Sequence, residues 1–132
     1  MQKYILKSGK VVEMNLAPIE TALDLYMAVV SECKGCGLDI TVAQEDTILD
    51  LLNKNMDALL SVMSSKIVIE AIKECAKHVL YDKQRFSIEI FEDAKCRADF
   101  KPLMTLICIE NLRYFFDEAH IIFDAVLSQM IK

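Results

Sequence analysis

The sequence predicts a mainly α fold, a helical domain of about five to six helices with an N-terminal β-hairpin. Composition is the first observation behind this. Hydrophobic residues make up 54% of the 132, while Gly and Pro number only 3 and 2. Both residues are poorly tolerated inside helices, so their scarcity favours helical structure. The second observation is apolar spacing of three and four over most of the chain. The third is strict alternation confined to the first sixteen residues. The length suits a single domain spanning 1–132, with the hairpin at 2–16 and the helical part at 18–132.

In the hairpin, Tyr4 and Leu6 alternate with Lys3 and Lys7, Ser8-Gly9 supplies the turn, and Val12, Met14 and Leu16 resume the alternation. Two strands alone are marginal, so the ribbon must lean on helices or pair with another chain. Pro18 opens a helix that runs to about Lys34, with Ile19, Leu23, Tyr26, Met27 and Val30 as its apolar stripe and Glu20, Asp24 and Ser31 on the other side. Gly35 and Gly37 end it, and a loop follows over 35–43. A second helix is expected over Gln44–Ser64 on the period of Ile48, Leu52, Met56, Leu59, Leu60 and Met63. Ser64 or Ser65 caps a third, expected to reach about Tyr81, with Val68, Ile72, Cys75, Ala76 and Val79 aligned. Asp82–Ser87 reads as a polar break, and Ile88–Cys96 as a short helix or turn. Asp99 is placed to cap a further helix, with Pro102 in its first turn, continuing to about Glu118. A last helix carries Ala119, Ile122, Phe123, Val126 and Met130, continuous with the one before it or separate.

Charge and cysteine usage narrow the function classes. The net charge is −5, and Lys and Arg form no basic cluster, which disfavours nucleic-acid binding. Met1–Lys10 is polar and lacks the apolar core of a secretory signal. Nothing approaches the run of about 18 apolar residues that a membrane span requires. Five cysteines, an odd number, read as reduced thiols in a cytoplasm.

Cys33-Lys34-Gly35-Cys36 is a C-x-x-C, a spacing that suits zinc or a redox disulfide. With Cys75 and His78 it would make a Cys3His zinc set, the basis of an alternative reading as a small metal-binding or regulatory helical protein. Against it, Cys33 and Cys75 both lie on apolar stripes, where a small buried thiol is ordinary, and a redox site would want a strand before the motif. His120 follows Asp117-Glu118, but no nucleophile sits on a recognisable elbow. Glu89, Glu92, Asp93 and Asp99 surround Lys95 and Arg97, which reads as a solvated face with local ion pairs. No phosphate loop or dinucleotide fingerprint is present, and a helix-turn-helix regulator would need a basic recognition helix. The expectation is a protein that is not an enzyme and holds no cofactor.

Residues 103–116 carry only four clearly polar side chains: Thr105, Glu110, Asn111 and Arg113. A helix that apolar is either central to the domain or partly covered by a partner.

The ribbon Lys3-Tyr4-Ile5-Leu6-Lys7-Ser8-Gly9-Lys10 is followed by the Ala17-Pro18 helix. Later come Phe91-Glu92-Asp93, Arg97-Ala98-Asp99-Phe100, and Asn111-Leu112 running into Phe115-Phe116. Together these resemble the small tail assembly chaperones of long-tailed bacteriophages, prophages and phage-tail-like particles, over nearly the whole chain. Cys33, Cys36 and the His78 region are not part of that pattern. The resemblance implies a non-enzymatic role in the bacterial host cytoplasm. Its partners would be the apolar, helical tape-measure protein, kept soluble, and the tail-tube protein, whose polymerisation is assisted. The chaperone would be absent from the mature particle. Helix-in-groove contact is the natural mode for such a client. The contact face is then expected at Phe115, Phe116, Ile122, Phe123 and Val126, with Leu112 beneath. The edge at residues 3–7 offers a second contact, by self-association.

Overall fold

The computed structural model describes residues 2–35, 65–115 and 131. The chain begins with β1 (Gln2–Ile5) and β2 (Val11–Met14), paired antiparallel with Tyr4 opposite Val12. The turn between them is closed by Gly9 N–H donating to Leu6 O at 2.8 Å and Leu6 N–H donating to Lys10 O at 2.9 Å. Gly9 has a φ of +94°, which L side chains rarely adopt, so a glycine belongs there although a Cβ would meet nothing within 4 Å. The hairpin therefore lies where alternation and Ser8-Gly9 put it.

Helix α1 (Ile19–Gly35) follows, its first bond running from Ala22 N–H to Pro18 O at 3.0 Å. Its limits match those expected, but the expected stripe divides, with Val30 buried and Tyr26 against the core. Ala22, Leu25, Val29 and Val30 are buried, whereas Ile19, Leu23 and Met27 are exposed. Two apolar sets share this helix at helical spacing, so the period alone does not choose between them.

Helix α2 (Lys66–Ala76) starts where Ser65 Oγ accepts from Val68 N–H at 3.2 Å. It buries Val68, Ile72, Cys75 and Ala76, then stops well short of Tyr81. Instead, β3 (Val79–Tyr81) and β4 (Gln84–Arg85) form a second hairpin. Its two-residue turn is Asp82-Lys83, with φ of 49° and 66°, the left-handed pair of a type I′ turn. This turn has no glycine, so the stretch reads as a polar break in sequence.

The sheet order is β1-β2-β3-β4 with every neighbour antiparallel. Val12 faces Tyr81 and Met14 faces Val79, and all four side chains are buried on one side of the sheet. Across the other side, Lys3 stands opposite Glu13 with an Nζ–Oε1 distance of 3.7 Å. The mainly α expectation of five to six helices is thus corrected. The described residues hold four helices and a four-stranded antiparallel sheet, a mixed α/β fold. The reason is non-local pairing. Val79 fits a helical stripe as well as a strand, and only its partner β2, more than sixty residues earlier, decides between them. The helix expected over Gln44–Ser64, and the one from Ala119 onward, lie outside the described residues.

After a 3₁₀ turn (Ile88–Glu92) and α3 (Ala94–Arg97) comes α4 (Phe100–Leu112). Every residue from Leu103 to Leu112 is buried, so α4 is the central helix of the two readings its composition allowed. It packs against both α1 and α2. A 3₁₀ turn, Arg113–Phe115, follows its end, where the expectation was helix to about Glu118. At the front of α4, Phe91 gathers Tyr81, Phe86 and Phe100 at centroid distances of 5.2, 5.7 and 5.2 Å. No helix among the described residues is long and apolar enough to cross a membrane.

Asp99 precedes α4 but makes no side-chain cap bond to it. Its Oδ2 instead accepts from Tyr81 Oη at 2.5 Å and from Ser8 Oγ at 2.8 Å. Burial and the adjacent carboxylate push the Tyr81 phenol well above its ordinary pKa. Replacing Tyr81 with Phe removes a donor from a buried carboxyl, and should destabilise the fold by about 1–3 kcal/mol. Urea unfolding of Tyr81→Phe against the parent protein measures it, and a difference near zero would mean that water replaces the hydroxyl.

Candidate functional site

Two regions bear on function, the C-terminal end of α4 and the outer side of α1. At the first, the helix ends among polar groups that are themselves covered. Glu110 is 2% exposed and pairs with Arg113 Nη1 at 3.1 Å, one turn away. Its carboxylate lies beside the Tyr4 phenol, which burial first and Glu110 second push far above its ordinary pKa. Asn111 is bound on both sides of its amide. Its Oδ1 accepts from Ala17 N–H at 2.9 Å and its Nδ2 donates to Ile107 O at 2.8 Å. The Asn111 bond fixes the strand-to-helix connection before α1, while the Tyr4 hydroxyl donates to Gln2 Oε1 at 2.6 Å on its own strand. Among the expected contact residues here, Leu112 is buried in the core, and Phe115 is half-buried and stacked on Tyr26 with centroids 5.0 Å apart. Phe116, Ile122, Phe123 and Val126 lie outside the described residues, as does His120.

The second region was missed in sequence, because the same residues were read as part of the helix's one apolar stripe. Ile19, Leu23 and Met27 are exposed at 69%, 43% and 60%. Their spacing of four keeps them on one side of α1 over two turns, the pattern of an amphipathic contact turned outward. The signal that could have found it is an apolar count too high for one face: Ile19, Ala22, Leu23, Leu25, Tyr26, Met27, Ala28, Val29 and Val30 lie in twelve residues. A helix with one partner face needs fewer.

The cysteine and histidine set separates as follows. Cys33 falls in the last two turns of α1, and Cys36 is outside the described residues. Cys75 is fully buried on α2, its thiol directed to Thr21 O at an Sγ–O distance of 3.9 Å, while His78 is exposed just before β3. Burial pushes the Cys75 thiol up to about 11, a direction opposite to the thiolate a metal requires. Among the described residues, no group of three or more His, Cys, Asp or Glu could hold a metal ion. The acidic stretch around α3 is a surface of local pairs. Arg97 sits 3.5 Å from the Glu92 carboxylate, and its Nε donates to Phe91 O at 3.2 Å.

No family model, curated protein or solved structure matches this chain.

The raised thiol has a consequence for stability. A group that holds its proton more tightly when folded contributes stability below its unfolded pKa and loses it as pH rises through the folded value. For Cys75 that window runs from about 9 to about 11. Denaturant midpoints should therefore fall between these pH values, and the fall should be shallower in Cys75→Ala. An identical slope in that variant would assign the loss to the tyrosines Tyr4 and Tyr81, which shift in the same direction.

Proposed function

We propose that this chain is a tail assembly chaperone, a non-enzymatic protein that binds and solubilises an apolar helical client. The client is the tape-measure protein in the bacterial host cytoplasm. The tail-tube protein is the second partner, its assembly assisted while the tape-measure protein is held. The observation that carries the reading is the outward stripe of α1, Ile19, Leu23 and Met27. Three large apolar side chains at i, i+4 and i+8 match the way a helix presents anchors to another apolar helix. Met27 adds an adaptable thioether, suited to a client whose stripe varies along its length. The likeness of the ribbon, of Phe91–Phe100 and of Asn111–Phe116 to tail assembly chaperones supplies the class of client. Its contact face extends from α1 to the C-terminal residues Phe115, Phe116, Ile122, Phe123 and Val126, with Leu112 beneath. Of these residues, Phe115 stacks on Tyr26 of α1.

The test is co-expression with the tape-measure protein and capture of the complex. Leu23→Asp with Met27→Asp changes exposed positions, so stability should stay within about 0.5 kcal/mol of the parent. Client capture should nevertheless be lost. Phe116→Ser with Phe123→Ser should weaken it independently. Full capture by both double variants, with each still folded, would overturn the reading.

A further inference from the structure

We propose that the outward side of α1 takes a helix of another protein whose apolar stripe carries Lys or Arg along one rim only. The inference rests on the reading above that this side of α1 is a client surface, and it goes further by naming the charge pattern of what binds there. At 3.6 residues per turn, the exposed Ile19, Leu23 and Met27 form one narrow band. Glu20 and Asp24 each follow a band position by one residue, so they lie together along one rim, and both are exposed. The opposite rim is aromatic, with Tyr26 stacked on Phe115. From Ile19 to Met27 these two carboxylates are the only charged side chains. Six other acids, Glu13, Glu70, Glu74, Asp82, Glu92 and Glu110, stand 2.7–3.7 Å from a Lys or Arg nitrogen. Among the described residues, Glu20 and Asp24 have no such neighbour. Glu20 lies in the first turn, where a carboxylate also favours the helix N-terminus, but Asp24 lies beyond it.

The two rims decide the occupant. An uncharged apolar helix fits the band but takes water from the carboxylates and returns nothing, whereas a cation beside them offsets that loss. A second copy of α1 supplies no cation over these two turns. Packed antiparallel, it sets Glu20 and Asp24 against the same two acids of the copy; packed parallel, it sets them against the aromatic rim. The fitting partner is an amphipathic helix with large apolar side chains three and four residues apart. Its Lys or Arg lie beside the acidic rim and its uncharged residues beside the aromatic one. Because the rims differ, only one direction of a given partner helix brings its cations onto the acids.

Two synthetic amphipathic peptides with identical leucine stripes, one with a lysine rim and one with a glutamate rim, test this by fluorescence anisotropy with the full-length chain. The titrations are run at about 0.15 M salt, where charges more than about 8 Å apart are largely screened. The lysine peptide should bind the parent about fivefold or more tighter than the glutamate peptide. Glu20→Gln with Asp24→Gln should shrink that ratio to about twofold or less. Glu89→Gln with Glu92→Gln, the same charge change at exposed positions elsewhere, should keep the parent ratio. Leu23→Ser with Met27→Ser, which removes the band without adding charge, should bind neither peptide. Equal binding of both peptides by the parent would overturn the charge pattern and leave the client reading standing, because capture of the tape-measure protein decides that reading separately. An equal loss of preference in the Glu89/Glu92 variant would overturn it too, as net charge alone would then be responsible. So would binding of neither peptide, or a parent that sediments as a dimer and becomes a monomer in Leu23→Ser with Met27→Ser, since a second copy would then cover the band.

Discussion

The fold depends on how a single carboxyl group, that of Asp99, is accommodated. It is 5% exposed and stands at the start of the most buried helix of the protein. An unpartnered polar group in that position would be strongly destabilising. Two hydroxyls prevent it, from Ser8 in the first hairpin turn and from Tyr81 at the end of β3. The Ser8 bond spans 91 residues and the Tyr81 bond 18, so the carboxyl joins β1–β2, β3–β4 and α4 at one point. Hydrophobic burial supplies most of the stabilisation, but it is non-directional. The Asp99 bonds, with Asn111 at the other end of α4, fix where along the sheet the helix sits. Two polar pins, Asp99 before the buried run Leu103–Leu112 and Asn111 near its end, define its position.

That arrangement explains why α4 tolerates almost no polar side chain. It is covered by α1 and α2, with the sheet's Val12, Met14, Val79 and Tyr81 in the same core cluster. Its polar exceptions are each answered locally. Thr105 Oγ1 donates to Lys101 O at 2.9 Å, Asn111 donates to Ile107 O, and Glu110 pairs with Arg113. The same saturation means that α4 has little left to offer a partner until its end. Among the described helices, α1 differs in carrying three large exposed apolar side chains, Ile19, Leu23 and Met27.

How much of this was legible in sequence follows from the range of each signal. The first hairpin, the extent of α1, the Ser65 cap and the buried run after Leu103 rest on neighbours within a few residues, and all are present. What failed depended on distant partners. Val79–Tyr81 became a strand because β2 was there to receive it, with Val12 set against Tyr81. Asp82-Lys83 adopts a type I′ turn without the glycine that usually announces one. Asp99 was read as a cap because its position in sequence fits one, yet its side chain answers Ser8 and Tyr81. Of the expected contact residues, Leu112 is buried in the core and Phe115 is half-buried. Reading Ile19, Leu23 and Met27 with Val30 as one stripe failed, because period identifies a stripe without saying which of two stripes has neighbours.

The mixed fold also changes what the apolar excess means. In a mainly helical bundle, surplus apolar residues at any one helix can be absorbed by the next. Here the sheet covers one side of the core with buried Val12, Met14, Val79 and Tyr81, and its other side carries the Lys3–Glu13 pair. The sheet is thus one-faced, and the apolar surplus of α1 is not spent against it. Ile19, Leu23 and Met27 are turned away from a core that Ala22, Leu25 and Val29 already fill. A close-packed interior does not accept a second set of large side chains by rotation of the helix, because that would bury excess volume and expose the first set. The outward stripe is therefore a fixed consequence of how α1 is seated.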